Sequence, residues 1–148
     1  MRLQELVSLN LDAVDFERNT LRVFGKGAKE RIVPMNQRVV EALNRYLAVR
    51  VFAETPALFL NYKLGRLSPR GIEKIVRQHA LQANIATRKI SPHKLRHTFA
   101  TLLHHNGVDI LEIQTLLGHA SITSTQIYTH TSSEKLAGAV QKLDGLPL

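Results

Sequence analysis

Two short stretches of this sequence carry side chains that could do chemistry. SPHKLRHTFATLLHHNG, residues 91–107, sets His93, Lys94, Arg96 and His97 close together on a helix-like pattern. LLGHASITSTQIYTH, residues 116–130, adds His119 and Tyr128. Imidazoles exchange protons near neutral pH, a guanidinium is a permanent planar donor for oxyanions, and a phenol is a potential nucleophile. At about 100° per residue, Leu95, Phe99, Leu102 and Leu103 fall on one side of the first helix, and His93, Arg96, His97 and Ala100 nearly opposite. Three readings of that second face compete. It can be a solvated polar surface. It can be a metal site, since His93 and His97 have the i, i+4 spacing of zinc-protease helices, but that chemistry needs a Glu directly after the first His and here stands Lys94. Or Arg96 grips a phosphate, with His93 one turn earlier as second donor or proton shuttle. Taken alone, His119 reads as a cap residue after a glycine and Tyr128 as half-buried packing; beside the 91–97 helix both gain weight.

These side chains need a scaffold, and the composition allows one. A chain of 148 residues, 44% apolar and 22% charged, can bury a core as one globular domain. Twenty Lys and Arg against 12 Asp and Glu leave a net charge of +8. Such a balance points to a polyanion, nucleic acid being the commonest, or else only to solubility. There is no cysteine, hence no disulfide or thiolate site. No apolar run approaches the ~18 residues of a membrane span and no signal peptide is visible, so an intracellular, cytoplasmic protein is expected.

Periodicity supplies the elements. RLQELVSLNL (2–11) reads as helix, TLRVF and RIVPM as strands around the Gly- and Lys-rich connection GKGAKE, and AVDF as a short third strand. Residues 36–50 form an amphipathic helix capped by Asn36, with Val39, Val40, Leu43 and Leu47 apolar. Ser68-Pro69 opens a helix to about Asn84, with Ile72, Ile75, Val76 and Ala80 inward. Ser91-Pro92 starts and Asn106-Gly107 stops the helix carrying Arg96. Asp109 and Glu112 make a capping box, stapled by Val108 and Ile113, for a short helix ending at Gly118. Further helices are predicted over 121–129 and 133–143. The fold class is mainly α with one small antiparallel β-sheet (α+β), and no linker divides the chain.

SPHKLRHTFATLLHHNG followed by LLGHASITSTQIYTH resembles the tyrosine recombinase (phage integrase) family, close to its Xer-type members: H-x-x-R, then L-L-G-H, then a Tyr nine residues on. The resemblance covers essentially the whole chain. It implies the C-terminal catalytic domain of such an enzyme over residues 1–148, N-terminally truncated and lacking the core-binding domain that clamps the other face of the DNA. The family's first arginine lies in G-x-R-x-x-E-L, which MRLQEL matches from its second position, so Arg2 takes that role. Its hairpin lysine corresponds to Lys26 in GKGAKER, with Lys29 nearby, and H-x-x-R gives His93 and Arg96. The residue after L-L-G is His119, and the nucleophile is Tyr128.

The activity implied by the resemblance is site-specific DNA recombination and integration, by strand cleavage and rejoining through a 3′-phosphotyrosyl intermediate. Four protomers, or this chain with a related recombinase, would act on two duplexes. Neither metal nor nucleotide cofactor is implied. Lys29, Arg31, Arg88, Lys89 and Lys94 are candidate phosphate contacts. The apolar stripe of 133–143 can fold on its own core or dock on a neighbouring protomer. Alternatives are a non-catalytic DNA-binding or regulatory remnant, and supercoil relaxation of the type IB topoisomerase kind.

Overall fold

A computed structural model describes residues 1–25, 27, 29–86, 90–118 and 131–144. In chain order the elements are α1 (Leu3–Ser8), a 3-10 turn (Leu11–Ala13), β1 (Val14–Asp15), β2 (Thr20–Phe24), β3 (Glu30–Pro34), α2 (Gln37–Val49), α3 (Pro69–Gln82), α4 (Pro92–His105), α5 (Ile110–Leu117) and α6 (Thr131–Gln141). This is the expected α+β class. The helix predicted over 121–129 lies outside the described residues.

Local chemistry starts and stops the helices as their sequences imply. Side chains of Asn36, Ser68, Ser91 and Asp109 accept backbone N–H groups in the first turns of α2, α3, α4 and α5. Gly118 closes α5 in the left-handed conformation, φ +66°. The first helix is shorter than its apolar spacing suggests. Leu9 leaves it extended and is buried, and the chain re-forms a 3-10 turn at Leu11.

The sheet is antiparallel in the order β1-β2-β3. Leu21 pairs with Val33 and Val23 with Arg31, so these four side chains share one face. That face is the inner one, because Leu21 and Val23 are buried. It packs with Leu9, Met35, Val40, Leu43 and Leu58 in a first apolar cluster. A second cluster joins Leu103 of α4, Val108, Ile113, Leu116 and Leu117 of α5, and Leu136, Ala139 and Val140 of α6. In this single chain α6 packs against α4 and α5. Asp144, just beyond it, accepts the first backbone N–H groups of α2 from Gln37 and Arg38.

Helical periodicity overstates some burial. Val39, Ile75, Leu95 and Leu102, all expected inward, are exposed by two-fifths or so, whereas Ile72, Ala80 and Leu103 are buried. Leu95 lines an apolar cavity of about 450 Å³ between the two clusters, with Leu3, Val39, Phe99 and Leu143, instead of sealing it.

Candidate active site

Four charged side chains meet at the seam of the two clusters. Arg2 precedes α1, Glu5 lies on its first turn, Arg31 sits on the inner face of β3, and Arg96 on α4. Glu5 is the hub, with its side chain only 5% exposed. Its Oε2 accepts the backbone N–H of Arg2 at 2.6 Å, and its Oε1 accepts Arg2 Nη1 at 3.0 Å. Arg31 donates to the same carboxylate through both ends of its fork, at 3.0 and 2.7 Å. Burial by itself raises the Glu5 carboxyl, but the hydrogen bonds from Arg31 and Arg2 outweigh it and hold the group at about 2.

The guanidinia converge on the end of α5. Arg2 Nη2 donates to the Gly118 carbonyl at 2.9 Å, and Arg96 Nη2 to the Leu117 carbonyl at 2.6 Å. Arg31 packs close against Gly118, where a Cβ would stand 2.7 Å from its Cζ. Three guanidinia thus surround two carbonyls and one carboxylate. Burial, then the charge of Arg2, pull Arg96 below the usual guanidinium value; Glu5 opposes this and Arg31 adds to it. Arg96 Nη1 is buried with no hydrogen-bond partner among the described residues. A site with excess fixed positive charge and an unused buried donor suits an oxyanion.

Arg2 and Arg96 open onto a depression of about 630 Å³ that His93, His97, Ala100, Gln114 and Leu117 also line. His93, Lys94 and His97 are exposed. The polar side of α4 therefore turns toward this depression, and Arg96 stands between it and the apolar cavity. Among the described residues no group of three His, Cys, Asp or Glu side chains could hold a metal ion.

A model of the phage integrase family matches residues 1–135. The chain belongs to the phage integrase family. It is 45% identical to tyrosine recombinase XerD of Staphylococcus epidermidis over 141 residues, which are 92% of this chain and 48% of that protein. To tyrosine recombinase XerC of Caldanaerobacter subterraneus subsp. tengcongensis it is 42% identical over 146 residues, 96% of this chain and 41% of that protein. The chain thus spans about half the length of the curated relatives it matches. Among solved structures it resembles XerA recombinase, with a TM-score of 0.76 at 36% identity over 99% of this chain and 54% of that one. It also resembles XerH site-specific recombinase bound to a palindromic difH substrate after cleavage, with a TM-score of 0.71 at 32% identity over 97% of this chain and 42% of that one.

Of the candidate residues in this integrase-family chain, Arg2, His93 and Arg96 come together on one depression. Lys26, Arg88, Lys89, His119 and Tyr128 lie outside the described residues. Lys29 and Lys94 are exposed, as phosphate contacts must be. Arg31 is different. The sequence groups it with the phosphate contacts, but its register opposite Val23 turns it inward, and its side chain is 17% exposed and paired with Glu5. Glu5 has no role that residue type and spacing alone assign, although it stands in the MRLQEL stretch as the acid three residues after Arg2. An acid at that helical position is the available signal.

Proposed function

We propose that this chain is the catalytic portion of a tyrosine site-specific DNA recombinase, which cleaves and rejoins duplex DNA through a 3′-phosphotyrosyl bond. The observation that carries the reading is the convergence of Arg2 and Arg96 on the two carbonyls that immediately precede His119. Two permanently charged forks hold the non-bridging oxygens of a scissile phosphate, where negative charge gathers as the phosphorus becomes five-coordinate. His119, next in sequence after Gly118, adds a third donor.

Tyr128 attacks phosphorus, the 5′-oxygen departs, and the DNA 3′-phosphate is left esterified to the phenol. A tyrosine of pKa near 10 is only ~0.1% ionised at pH 7, and full prior ionisation costs ~4 kcal/mol. His93, on the rim of the same depression, takes the phenolic proton as attack proceeds. Lys26, between β2 and β3 in sequence, gives a proton to the leaving 5′-oxygen. Rejoining is the reverse with a different 5′-hydroxyl, and because the ester bond is conserved it needs no nucleotide. The partners are duplex DNA and further copies of this chain or of a related recombinase, as a tetramer on two sites in the cytoplasm.

A duplex nicked just beyond the cleavage position tests this, since loss of the short 5′ fragment traps the covalent product. The wild-type chain is expected to give a denaturation-resistant protein–DNA adduct and Tyr128→Phe none. Retardation of DNA with no adduct from either would replace the reading with a DNA-binding remnant. Relaxation of a supercoiled plasmid without strand exchange between sites would point instead to topoisomerase-like use of the same tyrosine.

A further inference from the structure

We propose that Arg31 is a positioning residue for the guanidinium clamp: it balances the charge of Glu5 so that the fork of Arg2 stays available to the phosphate, and its guanidinium packs against Gly118. The proposal rests on the recombinase reading of the site. Its footing is geometric. The pairing of Val23, fully buried, with Arg31 fixes the guanidinium on the inner face of the sheet. There both ends of the fork meet both oxygens of Glu5. The other partner of that carboxylate is Arg2, whose side chain is 44% exposed toward the depression. Without Arg31, the full charge of a buried carboxylate would fall on Arg2 and compete with any phosphate for its fork.

The same guanidinium lies so close to Gly118 that a Cβ there would stand 2.7 Å from its Cζ, and the Gly118 and Leu117 carbonyls are those that Arg2 and Arg96 grip. It also borders Gly25, where the hairpin connection begins and Gly25 N–H closes on the Lys29 carbonyl at 2.8 Å. Arg31 therefore adjoins Arg2 through Glu5, Gly118 at the end of α5, and Gly25 just after β2.

The test compares wild type, Arg31→Met and the double variant Arg31→Met/Glu5→Gln on the nicked duplex and in DNA binding across a salt series. Single-turnover adduct formation at saturating DNA is expected to fall about 10- to 100-fold in Arg31→Met, with affinity changed far less. Removing the uncompensated acid is expected to return part of that rate in the double variant. The slope of log affinity against log salt should match wild type in the double variant, where Arg2 is free of the acid. A slope shallower by about 0.9 in the double variant would make Arg31 a phosphate contact and overturn the proposal. So would a double variant no faster than Arg31→Met, or an Arg31→Met rate equal to wild type. If Arg31→Met does not fold, the slope of the double variant, which leaves neither charge of the pair alone, still decides. Failure of wild type to form adduct would instead sink the recombinase reading, a separate result.

Discussion

Arg96 is held at one end by the Leu117 carbonyl and leaves a buried N–H group without a partner among the described residues, so its charge is fixed before any ligand arrives. Donors fixed in advance are worth more to a transition state than to a ground state. Arg96→Ala is therefore expected to lower adduct formation by about 10²-fold or more, with a smaller loss of DNA binding. Unimpaired cleavage by that variant would show that Arg96 is not the clamp. Glu5 makes a different kind of test, in stability. Its folded pKa of about 2 lies below the ordinary 4.5. The stabilisation is thus complete above about pH 4.5 and is lost as pH falls through 2. It is worth about 3 kcal/mol by linkage. In urea unfolding, the gap between wild type and Glu5→Gln is expected to narrow by that amount between pH 5 and pH 2; a constant gap would mean the carboxylate is not held by its arginines. His93 and Arg96 were legible as candidates from residue type and spacing, and Arg2 from the family resemblance. Glu5 and Arg31 were not, because an acid on a first helical turn and a basic residue in a strand are ordinary features until they face each other.

At the scale of elements, caps are local hydrogen bonds between neighbours, and Asn36, Ser68, Ser91 and Gly118 fulfil what their positions implied, while Asp109 caps α5 through the Leu111 N–H rather than in a box with Glu112. Gly118 has a second duty that its neighbours in sequence do not reveal. Its φ of +66° already disfavours a side chain, and a Cβ would also strike Arg31 at 2.7 Å. Gly118→Ala is expected to destabilise the chain by about 1–3 kcal/mol and to depress adduct formation as well, seen in parallel melting and cleavage assays. Gly138→Ala is the contrasting control: a Cβ there meets nothing within 4 Å. Within α6 it should gain up to about 1 kcal/mol and leave cleavage alone. Equal effects from the two alanines would mean that the seat on Arg31 has no special importance. Burial of particular faces was the weaker inference from sequence. Leu95 and Ile75 satisfy the helical period yet stay part-exposed, because the neighbouring elements do not close over every apolar position.

For the whole molecule, the excess of +8 is the property that bears on a partner. If some six or more of these cations meet phosphates, affinity for a duplex should drop about 10³-fold or more between roughly 50 and 200 mM salt. A nearly flat salt dependence would show that the basic balance serves solubility alone. The two apolar clusters join the sheet side to the α4–α6 side, and the candidate site lies along their seam. The sequence by itself determined the helices and hairpin, the basic character, and which side chains could hold an oxyanion, since all of these depend on residue type and near-neighbour spacing. The tertiary structure alone decided that Arg2 reaches Gly118 across 116 positions, that Arg31 faces Glu5 across 26, and that Leu136, Ala139 and Val140 of α6 pack with Leu103 of α4. Contacts so distant in sequence leave no periodic trace. They depend on strand register and on how two cores meet, and a shift of one residue in β3 would turn Arg31 from the carboxylate to the solvent.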